Sequence, residues 1–152
     1  MAASQPFEGL LDQADQSVRK TLEYLEGPGA TSEVRVDRWG VREVAAHLLH
    51  WHRVTTEAAL AAARNEPPLR FTSHVDEINE EAVGRCAGMT VADIVTELKQ
   101  AHREMFQAIR SLPDADVVLI HRADGTSPTA KDRLQTIAHH WIEHLNELQA
   151  QQ

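Results

Sequence analysis

Apolar residues recur at steps of three and four along most of this chain, and that spacing is the signature of amphipathic helices. Phe7, Leu10, Leu11, Ala14, Val18, Leu22 and Leu25 make the first such stripe, and Gly27-Pro28-Gly29 stops it. A polar loop over residues 30–38 follows, with Asp37 placed to cap a second helix over roughly residues 40–64. That helix carries Val41, Val44, Ala45, Leu48, Trp51, Thr55, Ala59 and Ala62 on one side and ends at Pro67-Pro68. Thr90 and Asp93 form a capping-box pattern ahead of the third stripe, Val91, Ile94, Val95, Leu98, Ala101, Met105, Ile109 and Leu112, which Pro113 closes. A fourth helix over 130–149 turns Leu134, Ile137, Ala138, Trp141, Leu145 and Leu148 inward.

The spacing predicts an all-α fold, a four-helix bundle with a long crossover connection between helices two and three. Residues 65–89 are that connection, longer than bundle loops usually are, and HVDEINEEAV within it is able to form a short helix. The run Val117-Val118-Leu119-Ile120 has strand composition but no evident partner, so it is expected as a loop packed on the core. Asp124-Gly125 reads as a turn. With no repeat and no linker, residues 1–152 are expected to form a single domain.

Charge and cysteine content narrow the functions. A net charge of −8 with no Lys/Arg cluster argues against nucleic acid as a partner. Cys86 is the only cysteine, which excludes an intrachain disulfide and any zinc site built on cysteines. The start MAASQPFEGLLDQ lacks a leader pattern, and no apolar run approaches the ~18 residues of a membrane span. The expectation is a cytoplasmic protein with no membrane partner.

Nine histidines remain to be explained. On the fourth helix, in TIAHHWIEHL, Ile137, Trp141 and Leu145 fix the inward direction. His140 and His144 fall on one flank of that stripe, one turn apart, while His139 faces solvent. An i,i+4 pair brings two imidazoles within reach of one divalent ion. A usable site needs a third ligand from another helix. The second helix offers VAAHLLHWH, in which phase leaves both His47 and His52 as candidates and sends His50 outward. The competing reading for both is a buried, hydrogen-bonded imidazole. His102 reads as core or as a supporting partner, and Cys86 as buried and incidental.

The motifs in order resemble a known family. DRWGVREVAAHLLHWHR is similar to the second-helix signature of the DinB-like superfamily, and HHWIEHLNEL is similar to its closing helix. HVDEINEEAV resembles the crossover of its mycothiol-dependent maleylpyruvate isomerase branch. The resemblance implies a divalent metal, zinc or nickel above all, held by His47, His140 and His144, and often a homodimer. It thereby selects His47 over His52. It implies a thiol-dependent transferase or isomerase, using a low-molecular-weight thiol on a small electrophilic substrate and related to the bacillithiol transferases. No side-chain nucleophile is assigned, so the catalytic residues are left open. Asp76, Glu77 and Asn79 of the crossover are candidates to line the pocket, and Glu143 to orient a ligand histidine, although its phase favours solvent. The isomerase branch uses a carboxylate in its ligand set where this chain offers His140, which argues against that isomerase itself. The alternative is a non-catalytic protein that sequesters a metal or small molecule in stress or self-protection, with a structural metal.

Overall fold

The computed structural model describes residues 4–150, with side chains from residue 7. Residues 1–3 of the stretch read as lacking a leader lie outside the described residues. The elements are α1 (Ser4–Glu26), β1 (Arg35–Val36), β2 (Trp39–Gly40), α2 (Val41–Ala63), β3 (Leu69–Arg70), α3 (Val75–Arg85), α4 (Val91–Arg110), β4 (Ile120–His121) and α5 (Ala130–Ala150). A 3₁₀ turn, Pro28–Thr31, follows α1. The all-α expectation holds. The third and fourth helices of the sequence reading are α4 and α5, and HVDEINEEAV supplies α3.

α2 packs along α4 and α1 along α5, and the two pairs meet through α1–α4 and α2–α5 contacts. Their periodic stripes form the core, in which Leu11, Leu25, Leu49, Ile94, Leu98, Met105, Ile109, Leu134, Ile137 and Leu148 are fully buried. The capping box opening α4 is present: Thr90 N donates to Asp93 Oδ2 at 3.0 Å and Asp93 N to Thr90 Oγ1 at 3.1 Å. No helix among the described residues is long and apolar enough to cross a membrane.

Two expectations are corrected. Asp37 does not cap α2. It occupies the left-handed region at φ 58 in the turn of a β1–β2 hairpin, paired Val36↔Trp39. Aspartate tolerates this conformation better than most residues. The hairpin returns the chain to Gly40, whose N–H donates to Glu43 Oε1 at 2.8 Å, so the glutamate caps the helix from within its first turn. The second correction concerns the run 117–120. Ile120–His121 is a strand, paired in parallel with Leu69–Arg70, and Val118 bridges Thr129. Its partner comes from the connection after α2, where Pro67-Pro68 favours extended chain. Leu69 N donates to Leu119 O at 3.1 Å and Phe71 N to His121 O at 2.9 Å. This tie positions Arg122, immediately after β4.

Candidate metal centre

α2 and α5 each present one histidine-bearing flank to the same space. On α5, Trp141 and Leu145 are buried, which turns His140 and His144 to the edge of the core. On α2, Val44 and Leu48 are buried, and His47 between them is only 6 % exposed. The Nε2 atoms converge: His144 to His140 at 2.8 Å, and His47 to His140 at 3.4 Å. One ligand atom from each residue lies within 4.8 Å of the others. Nitrogens around a tetrahedral zinc at ~2.0–2.1 Å sit roughly 3.3 Å apart, so the spacing suits a single ion.

The outer ring nitrogens explain why the inner ones are free. Asn79 Oδ1, from α3, accepts from His47 Nδ1 at 3.0 Å and from Trp51 Nε1 at 2.7 Å. This fixes the Nδ1–H tautomer of His47 and leaves its Nε2 lone pair pointing inward. Glu147 Oε1 lies 3.5 Å from His144 Nδ1, and Glu143 Oε2 lies 3.9 Å from His140 Nδ1. Both carboxylates stand near the outer nitrogens without a hydrogen bond to them, so Asn79 alone fixes a ligand tautomer. Burial, reinforced by its two histidine neighbours, pushes the pKa of His47 down to about 3. Burial and then His140 push His144 down to about 4, and burial lowers His140 as well. Three neutral imidazoles therefore converge through their Nε2 atoms, a donor set suited to zinc or nickel.

Two clefts flank the cluster. One, of about 230 Å³, lies under the β1–β2 hairpin and is lined by Trp39, Asp76, Asn79, His144 and Glu147 among others. The other, of about 210 Å³, lies between α2 and α5 and is lined by His47, Trp51, Asn79, Arg133, His140 and Trp141 among others. Asp76 thus reaches a cleft wall and Asn79 borders both clefts, whereas Glu77 is exposed and lines neither. Glu143 is exposed, as its phase implies, yet remains near His140.

The other histidines separate from the cluster. His139 is exposed, and His50 is half-buried against Trp51, 3.4 Å from Arg85 Nη2. His52 is fully buried and faces α4. His102 Nε2 donates to Asp15 Oδ1 at 3.0 Å, so its Nδ1 accepts from His52 Nε2 at 3.1 Å. His52 Nδ1 is then left as a buried acceptor with no partner. Cys86 is buried and free.

Sequence reasoning missed Glu147, Arg133 and Arg122. The i,i+3 spacing of His144 and Glu147 was a usable signal. So was the phase of Arg133, which lies seven residues before His140 and hence on the same helix face. Arg122 had no local signal, because its place depends on the β3–β4 pairing.

The bond from His47 to Asn79 can be tested directly. Asn79→Ala is expected to lower zinc affinity about 10- to 100-fold, and Asn79→Asp, which keeps the acceptor, far less. Competition with a chromogenic chelator measures both; equal losses in the two variants would reject the orienting role.

The fold and site together define a mostly helical protein of the all-α class in which two neighbouring helices bring three imidazoles to a point where they can hold a divalent ion. A family model of the DinB superfamily matches residues 10–148, and the chain belongs to that superfamily. No curated protein and no solved structure matches it.

Proposed function

We propose that this chain is a divalent-metal-dependent transferase or isomerase that uses a low-molecular-weight thiol on a small electrophilic substrate, with His47, His140 and His144 as the metal ligands. The observation that carries the reading is the convergence of three neutral Nε2 atoms at the meeting of two clefts. Neither cleft is lined by a cysteine or a serine, which fits a nucleophile brought in from outside. The thiol itself rests on family resemblance. When bound, the ion supplies Lewis acidity that makes a thiolate available near neutral pH.

The chain's own residues do the rest. Asn79 holds the His47 ring in the tautomer that binds metal, and Glu147 places a negative charge beside His144. Trp51 and Trp141 wall the α2–α5 cleft and exclude water. In this proposal the four long helices form a bundle, with α3 in the crossover. The homodimer, the cytoplasmic location and the absence of a nucleic-acid partner belong to the same reading, the last supported by the charge of −8.

The test is a panel of thiols and electrophiles offered to zinc- and nickel-loaded protein, with thiol consumption and product mass as readouts. Turnover that disappears with chelator and returns with metal is expected. Equal turnover without metal would reject the metal-dependent mechanism. One observation favours a second reading: α2 and α5 touch far less than the α2–α4 and α1–α5 pairs, so an ion across them would act as a staple. In that case metal removal lowers the melting temperature and the panel shows no conversion.

A further inference from the structure

Two guanidiniums, Arg122 and Arg133, line the α2–α5 cleft, and no carboxylate lines it with them. Arg133 is 4 % exposed, and neither Arg133 nor Arg122 forms an ion pair among the described residues. The one side-chain hydrogen bond of Arg133 among the described residues runs from Nε to Thr55 Oγ1 at 3.2 Å, which leaves the fork of its two terminal nitrogens unused. Its Cζ lies 5.7 Å from the Trp51 ring centroid, a cation–π contact that holds the plane without neutralising the charge. Arg122 Nε is itself buried and unpartnered. Burial and then the charge of Arg122 push the pKa of Arg133 down to about 10, so it stays charged at neutral pH.

Burying an unpaired charge is costly, and proteins rarely retain one without a counter-charge. Here no carboxylate lines the cleft, and Asp124, which feels the charge of Arg122, lies outside that lining. A planar guanidinium fork matches an oxyanion, which it can bind through two parallel bonds. The surrounding wall is apolar, from Leu48, Trp51, Val75, Ile137 and Trp141. That lining selects an anion attached to a carbon skeleton over an inorganic ion. His47 and His140 border the same cleft, two helical turns along α5 from Arg133.

We propose that Arg133 and Arg122 form an oxyanion subsite that takes the carboxylate of a small organic acid and points the rest of the molecule toward His47 and His140. This names the substrate class for the proposed activity and rests on that reading only for what happens at the far end of the acid. Binding at the arginines needs no metal, so the two fail separately.

The experiment uses the full chain, freed of metal with chelator, in low-salt buffer. Tryptophan fluorescence, from Trp51 and Trp141 in the cleft wall together with Trp39, and the melting temperature are followed against benzoate, its neutral counterpart benzamide, and inorganic phosphate. Benzoate is expected to change the fluorescence saturably and raise the melting temperature, with benzamide and phosphate at least about tenfold weaker. Arg133→Gln should weaken benzoate about ten- to a hundredfold, and Arg122→Gln, at a half-buried position that tolerates change, about tenfold. Equal binding of benzoate and benzamide, or an unchanged benzoate affinity in Arg122→Gln, would overturn the subsite. Phosphate binding as strong as benzoate would overturn the organic-acid assignment.

Discussion

Replacing His47 with alanine is expected to cut zinc affinity by about a hundred- to a thousandfold. Structural zinc sites with four protein ligands bind with roughly 10–16 kcal/mol, so one imidazole accounts for about 3 kcal/mol. His47 should sit at the upper end, because it is the sole contribution of α2 and Asn79 holds its tautomer. Without it, only an i,i+4 pair on α5 remains. His140→Ala should lose as much, since its Nε2 lies between the other two. His139→Ala and His50→Ala should keep the affinity, one exposed on the other side of α5 and the other packed on Trp51. Metal content of purified protein and isothermal titration of zinc into each variant measure this. Similar losses in all four would mean that binding is diffuse and that the convergent geometry does not govern it.

Acidification of the metal-free protein should destabilise it from about pH 6.5 downward, and His52 should account for a distinct share. Burial holds its pKa well below the ordinary 6.5, with the charges of His102 and Arg133 adding to the effect. The folded state therefore keeps His52 neutral while the unfolded chain takes up a proton. The unfolded state binds more protons, so stability rises with pH in this window. The contribution is complete above 6.5 and is lost as pH falls below it, at about 1.4 kcal/mol per pH unit. His47 and His144 add slopes of the same sign, down to about 3 and about 4 respectively. Urea unfolding at several pH values, wild type against His52→Gln, isolates the share of His52. Parallel pH profiles in the two proteins would show that the buried ring does not carry it.

What could be read from the sequence followed the helical period. Residues such as Leu98, Ile109, Leu134 and Trp141 lie on the buried side because a 3.6-residue repeat leaves little choice. The same phase put His140 and His144 on one flank, but it left His47 and His52 open. Phase gives a direction around one helix and not which neighbour stands there. His52 looks toward α4 and His102, and His47 toward α5, a distinction made only by packing. The parts of the site that escaped, Arg122 and the β3–β4 pairing behind it, depend on contacts between residues about fifty positions apart. Asp37 escaped for a local reason. Its preference for turns is shared by caps and hairpins, and a hairpin two residues on each side was too short to show as a pattern.

A single oxygen atom on α3 serves two masters, the ring of His47 and the indole of Trp51. The crossover segment is therefore thermodynamically linked to any ion the histidine cluster takes up. Whatever tightens the ligand cluster makes it harder for those eleven residues to melt or swing away, and whatever grips the segment raises the basicity that the cluster offers. Order in the strap and occupancy at the centre rise and fall together.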